Sequence, residues 1–290
     1  MNPQIKKHFV ITVHYGDPVL TTQAIDSLLQ NTDPPDHIIV INHSNPLSLP
    51  PHPSLIQINP ATNAGYAAGI NMGLGLITTL PATPGDIVTC LNNDVIVPPD
   101  TFTKLRRWWQ DHPGDHLLGL TTHQANGTPQ QSGRVNLLTG RSRLTNKSLP
   151  DQSLRSFFSL PYLHGAGFST SLHLLLTNHG LPSEYFMYWE DVLFSRQLAR
   201  RHVSLCTTPD IAILHLNDRP PSFTPDNKLY YLVRNGALFL ERETPGLWRN
   251  YWWVLNRLRY AYHRWRRQQP TVIRALQDAI RQTTGPINNS

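Results

Sequence analysis

Residues 87–94 constrain the fold more than any other stretch. They read Ile-Val-Thr-Cys-Leu-Asn-Asn-Asp and are followed by Val95, Ile96, Val97 and two prolines. A short apolar, β-favouring run that stops in three polar side chains describes a buried parallel strand delivering polar groups to its C-terminal edge. Ligands of open α/β sheets bind outside such edges. Asp94 offers a hard carboxylate oxygen of the kind Mg²⁺ or Mn²⁺ prefers. Asn92 and Asn93 offer neutral hydrogen-bonding groups. The same residues also suit a capped strand end entering a Pro-Pro turn, because Asn and Asp are common in turns.

The preceding residues supply more of the same pattern. Phe9-Val10-Ile11-Thr12-Val13 reads as a first strand ending at His14-Tyr15-Gly16-Asp17-Pro18. Thr21 or Thr22 is expected to cap an amphipathic helix carrying Ala24, Ile25, Leu28 and Leu29, which Asp33-Pro34-Pro35 stops. His37-Ile38-Ile39-Val40-Ile41 and Leu55-Ile56-Gln57-Ile58 are two further strands, the first ending at Asn42-His43-Ser44. The small residues Ala64, Gly65, Ala67, Ala68 and Gly69 permit close backbone approach, to a ligand or to a packed strand. No P-loop or GxGxxG is present. This order favours a nucleotide-binding α/β sheet.

Further along, a helix is expected around Phe102, Leu105 and Trp109, and a strand at 117–121. Residues 123–156 are polar and read as a long loop or hairpin region facing the substrate. His164-Gly165-Ala166-Gly167-Phe168-Ser169 reads as a turn entering a helix at 172–177. The aromatic block 185–189 then runs into Glu190 and Asp191, placed at a helix N-terminus where the dipole favours anions. Ordinary capping and a sugar-stacking wall are both open there. Two strands, 203–206 and 211–214, follow, the second ending at His215.

Cys90 and Cys206 each sit in an apolar run, which suggests buried thiols in a reducing compartment. No run of about 18 apolar residues predicts a membrane span. The net charge of +6 is localised: residues 244–290 hold eight Arg against one Asp, and the remaining 243 residues hold 17 basic and 18 acidic side chains. Within that tail Trp248, Trp252, Leu255, Leu258, Tyr262 and Trp265 recur at spacings of three and four, forming one expected apolar helix face. Arg249, Arg257, Arg259, Arg264, Arg266 and Arg267 complement it, and 271–282 suits a second short helix. Such a helix either packs on the domain or lies on an anionic membrane surface. Nucleic-acid binding is not expected, because no nucleic-acid module accompanies the charge.

Together these pieces resemble the family 2 glycosyltransferases of GT-A fold, particularly the bacterial rhamnosyltransferase-like branch. The motifs run in order over about 9–240. Asn63-Ala64-Gly65-Tyr66-Ala67-Ala68-Gly69-Ile70-Asn71 is similar to the family's N-x-G-[FY]-[AG]-x-G-x-N. Leu91-Asn92-Asn93-Asp94 is similar to its variant DxD motif, His164-Gly165-Ala166 to its G-A turn, and 186–191 to its F-x-Y-x-E-D block. Tyr231-Leu232-Val233-Arg234-Asn235 is similar to a late R-N element.

The resemblance implies an α/β GT-A domain, with a central mostly parallel sheet flanked by helices, over residues 1–243. A basic aromatic helical tail covers 244–290. It implies inverting transfer of a sugar, with dTDP-rhamnose the leading donor, from a nucleotide-diphosphate sugar to a hydroxyl of a glycan or polyprenol-linked acceptor. Asp191 is the implied general base, with Glu190 orienting it or the acceptor. Asp94 and His215 are the implied ligands of Mg²⁺ or Mn²⁺. His14, Tyr15, Asn42, Asn63, Gly65, Asn71, Asn92 and Asn93 are the implied nucleotide- and donor-binding residues. Asn42 stands where the family usually has Asp. The expected location is cytoplasmic, peripheral on the inner face of the cell membrane. A catalytically weak sugar-binding or scaffold protein at that surface is the alternative.

Overall fold

The computed structural model describes residues 6–44, 47–147, 149, 159–216, 224–244, 246–266 and 269–287. Arg267 and part of the polar region 123–156 lie outside them. The N-terminal half holds β1 (His8–His14), α1 (Pro18–Leu29), β2 (His37–Asn42), β3 (Leu55–Ile58), α2 (Tyr66–Ile77), β4 (Ile87–Asn92), β5 (Val95–Ile96), α3 (Thr101–Asp111) and β6 (His116–His123). Short strands β7 (Pro129–Gln130), β8 (Ser132–Asn136), β9 (Ser142–Thr145) and β10 (Ser159–Tyr162) follow. The chain continues with β11 (Gly167–Ser171), α4 (Leu172–Thr177), α5 (Glu190–Arg200) and β12 (Ser204–His215). It closes with α6 (Pro225–Glu243), α7 (Leu247–Trp265) and α8 (Pro270–Ile280).

The main sheet runs β3-β2-β1-β4-β11-β6-β12-β5, with β7 on β6. Strands β3, β2, β1 and β4 are mutually parallel. β11 then enters antiparallel between β4 and β6, so the second half of the sheet is mixed. The alternation of side chains assigns the two faces. Phe9, Ile11, Val13, Ile39 and Ile41 join one core with residues of α2, α4 and α5. Val10, Ile38 and Val40 join the other with residues of α1 and α3. Gly69 and Gly73 bring α2 close to β1, where an added Cβ would come 2.7 Å from Val13 and 2.6 Å from Ile11. The small-residue stretch therefore serves largely for helix–strand packing.

Several boundaries differ from the sequence expectation. α1 is capped by Asp17, which accepts from the Val19 amide, with Pro18 in the first turn. Asp at the cap followed by Pro is a stronger start signal than Thr21. The two strands expected after α5 are one strand, β12, with a register shift between Thr208 and Ala212. The turn expected at 164–169 contains the start of β11, whose residues are all buried. The polar region after β6 contributes β8 and β9, which β10 joins in the sheet β10-β8-β9.

The basic tail packs on the rest of the chain. α8 buries Val272, Ala275, Leu276 and Ala279, and α7 buries Trp252 and Asn256. Trp252 shares a core with Val135, Leu137, Trp189 and Phe239 and donates from Nε1 to the Leu137 carbonyl at 2.8 Å. The expected single apolar face of α7 is split. Trp252 and Leu255 turn inward, whereas Leu258, Tyr262 and Trp265 are exposed. Truncating a buried Trp costs about 3–5 kcal/mol, so Trp252→Ala should lower unfolding free energy by about that amount in urea titration. A loss below about 1 kcal/mol would show that α7 docks without it.

Candidate active site

One cavity of about 650 Å³ opens at the C-terminal edges of β1 and β4. Its lining includes Tyr15, Asn63, Gly65, Asn92, Asn93, Asp94, Glu190, Asp191 and His215. The strand ends bring these together. β5 pairs with β12 so that Val95 stands opposite His215. His215 Nε2 lies 3.1 Å from Asp94 Oδ1. The two donors are a hard carboxylate and an imidazole, a set that suits a small divalent cation with oxygen ligands completing its shell. No group of three or more His, Cys, Asp or Glu poised for a metal occurs among the described residues. A cation here would take its remaining ligands from a bound anion and water.

The second half of the site is a strained turn. Tyr188 and Trp189 both have positive φ, 62° and 74°. For bulky residues this is a costly conformation, about 1–3 kcal/mol each. It is held from α6. Asn235 Nδ2 donates to the Met187 carbonyl at 2.7 Å and the Tyr188 carbonyl at 3.1 Å. Trp189 Nε1 donates to the Leu232 carbonyl at 3.1 Å. Gly65, at φ +93°, lets the loop before α2 reach this turn: an added Cβ would lie 2.2 Å from the Phe186 carbonyl oxygen. The turn aims Glu190 and Asp191, the first residues of α5, into the cavity.

The environments of the two carboxyls differ. Asp191 Oδ2 accepts from the Gly165 amide at 3.0 Å and Oδ1 from the Val192 amide at 2.8 Å. Glu190 Oε2 is buried and has no hydrogen-bond partner among the described residues. Burial raises both pKa values, and the charge of Asp191 raises that of Glu190 further. The amides partly offset burial for Asp191. Asp191 therefore ionises first, and Glu190 keeps the proton. Burial raises the pKa of Tyr66, and the neighbouring Cys90, Glu190, Asp191 and Asp94 raise it further. Its hydroxyl donates to the Gly165 carbonyl at 3.2 Å.

Three sequence candidates stand behind the cavity instead of lining it. His14 is buried, and its Nδ1 is 2.6 Å from Thr21 Oγ1, which accepts from Asn93 Nδ2 at 2.9 Å. It supports Asn93, and burial lowers its pKa. Asn42 donates to Asn59 Oδ1 at 2.8 Å and accepts from the Ser44 amide. Asn71 has both ends of its amide on the Leu181 backbone, each at 2.8 Å, which joins α2 to the loop after α4. The aromatic block is mostly structural: Tyr185, Phe186 and Trp189 are buried, and Phe186 stacks on Tyr231 at 5.2 Å. Met187, Tyr188 and part of Trp189 face the cavity.

Sequence reasoning missed His43, Tyr66, Tyr162 and Lys228, which also line it. His43 and Tyr66 neighbour singled-out residues in the chain. Gln124, Gln130, Ser142 and Leu144 show that the polar region after β6 does face the cavity.

Leaving the Met187 and Tyr188 carbonyls without their donor should cost about 1–3 kcal/mol. Asn235→Ala should show that loss in urea unfolding, and a change within about 0.5 kcal/mol would mean other contacts hold the turn. Glu190 carries a stability signature of its own. Its folded pKa lies above the unfolded value of about 4.3. Its contribution is therefore complete below the unfolded pKa and is lost as pH rises through the folded one. Glu190→Gln has no such proton to release. Its stability relative to wild type should grow between about pH 5 and about pH 8 in paired unfolding curves, and a constant difference would contradict the buried, protonated state.

The model of Glycosyl transferase family 2 matches residues 9–172. A search of curated protein sequences returned no match. Solved structures are similar at low identity. S. aureus TarS residues 1–349 in complex with UDP-GlcNAc aligns at 16% identity and TM-score 0.54, covering 94% of this chain and 81% of that one. The mannosyltransferase PcManGT from Pyrobaculum calidifontis, in complex with GDP-Man and Mn²⁺, aligns at 14% identity and TM-score 0.52, covering 95% and 86%. Against the longer S. aureus TarS structure the identity is 17% and the TM-score 0.53; the match covers 89% of this chain but spans 43% of that one. The fold is that of GT-A glycosyltransferases, and the chain belongs to Glycosyl transferase family 2.

Proposed function

We propose that this glycosyltransferase transfers a sugar, with inversion, from a nucleotide-diphosphate sugar to an acceptor hydroxyl, with Asp191 as general base. The observation that carries the reading is the arrangement of one cavity. Asp94 and His215 stand at its sheet edge, and the paired carboxyls Glu190 and Asp191 stand on the turn before α5. The acceptor oxygen forms a bond to the anomeric carbon as the bond from that carbon to the diphosphate oxygen breaks. The acceptor proton passes to Asp191. The Gly165 and Val192 amides hold the Asp191 carboxylate in place for that transfer. Glu190, protonated, donates a hydrogen bond to the acceptor and adds no second charge beside the base.

Asp94 and His215 would hold Mg²⁺ or Mn²⁺. When bound, the metal supplies Lewis-acid neutralisation of the departing diphosphate. Its presence in the PcManGT complex and the charge of the cavity both support this assignment. Asp94 and Asp191 supply carboxylates to the cavity, and Lys228 is the sole Lys or Arg among the described lining residues. A diphosphate entering such a cavity needs a cation. Tyr15, Asn63, Asn92 and Asn93 line the cavity, which supports reading them as donor contacts. Within the class, a deoxysugar donor such as dTDP-rhamnose follows from the motif resemblance. A glycan or polyprenol-linked acceptor at the inner face of the cell membrane fits the basic tail.

The test combines binding and turnover. Wild type should show a thermal shift with a nucleotide-diphosphate sugar that depends on Mn²⁺ or Mg²⁺, and Asp94→Ala should lose the metal dependence. Asp191→Asn should keep that shift and lower kcat by about 10²–10⁴. The acid limb of kcat/KM should lie above about pH 4, because Asp191 must be ionised and burial raises its pKa. An Asp191→Asn enzyme of normal kcat would remove the proposed base.

A further inference from the structure

The exposed side of α7 carries an apolar stripe. Leu247, Tyr251, Val254, Leu258, Tyr262 and Trp265 are all solvent-exposed, from 43% at Tyr251 to 85% at Leu247. They recur at spacings of three or four residues. At about 100° per residue they share one side, and the stripe is about 27 Å long. It lies away from the side that carries the buried Trp252 and Asn256. On the same projection Arg264 borders it on one edge, and Arg259 and Arg266 on the other; Arg257, on the first edge, turns to Glu241 of α6 at 3.7 Å. α7 contains four arginines and no carboxylate.

We infer that this stripe docks the protein, in plane, on an anionic lipid surface. An inserted apolar ridge with Trp and Tyr at headgroup depth and arginine on both borders matches the chemistry of a negatively charged bilayer interface. The charge pattern argues against the other apolar partner, a second copy of this chain. Two α7 helices meeting along this stripe would set arginine borders against arginine borders, with no carboxylate on either helix to pair them. No described helix is long and apolar enough to cross a membrane, so α7 lies on the surface. The inference rests on the membrane-side reading of the tail given above and is independent of the transfer chemistry.

The test is co-sedimentation of the full chain with vesicles of pure phosphatidylglycerol and of pure phosphatidylcholine. Wild type should bind the anionic vesicles and fall off as salt is raised. Leu258→Ser/Tyr262→Ser/Trp265→Ser, which changes exposed side chains only, should keep the thermal midpoint and abolish binding. Arg264→Gln/Arg266→Gln should weaken it roughly thirtyfold. Absence of wild-type binding to phosphatidylglycerol, or equal binding by the triple variant, overturns the proposal. So does a wild-type dimer in analytical ultracentrifugation that the triple variant dissolves, because it assigns the stripe to a second copy. The metal-dependent shift with nucleotide sugar, measured on the same variants without vesicles, is expected to be unchanged. Its loss in wild type would count against the transferase reading and leave the docking result standing.

Discussion

The site depends on a backbone that two bulky residues would not adopt alone. Tyr188 and Trp189 sit in the left-handed region immediately before Glu190, so their φ values set the direction of the first turn of α5. The cost of that conformation is offset from one helix. Asn235 holds two carbonyls, the Leu232 carbonyl takes the indole N–H, and Gly236 leaves room for the indole ring, which a Cβ would approach to 2.8 Å. Trp189 then packs against Phe239. The family match ends at residue 172, yet the paired carboxyls and their clamp lie beyond it. α6 is thus part of the machinery that aims the pair.

The same placement explains the asymmetry of two adjacent acids. Sharing a helix start and a buried wall, they cannot both ionise cheaply. Asp191 takes more backbone amides than Glu190, those of Gly165 and Val192 among them, because Gly165 approaches close enough for its N–H to meet Oδ2. A Cβ at Gly165 would stand 3.4 Å from the Asp191 Cβ. The G-A turn therefore supplies one of the amides that offset burial at Asp191. The neutral imidazoles of His14 and His43, lowered by burial, add no positive charge that would blur the asymmetry.

What was legible in the sequence follows from period and punctuation. The strands of the parallel half announce themselves as apolar runs with polar ends, and the meeting of Asp94 with His215 follows from two such ends in one sheet. β11 was not legible. Gly-Phe-Ser-Thr-Ser has no apolar alternation, and its burial is sustained by particular partners. Ser169 accepts from Trp109 and Thr89, Thr170 donates to the His116 carbonyl, and Ser171 donates to Asp115. Such bonds are tertiary facts that no local pattern carries. Asn71 illustrates the converse: it occupies a motif position, but its amide ties two backbone segments together.

The tail shows how a polar group can decide what an apolar pattern leaves open. α7 has aromatic residues on several sides, so spacing alone permits more than one inward face. Asn256 resolves the choice. Its amide donates to Glu241 Oε1 at 2.8 Å, Arg257 lies 3.7 Å from the same oxygen, and Glu241 is buried on α6. Rotating α7 to cover Leu258 and Tyr262 would strip a buried carboxylate of its two α7 partners and leave it the Gln282 amide at 3.4 Å, a loss that costs several kcal/mol where a charge is left uncompensated. Burying the larger apolar stripe would gain area at about 25 cal/mol per Å² but would leave that charge in the core. The polar contact therefore fixes the register, and the stripe is left facing outward with Arg264, Arg259 and Arg266 beside it.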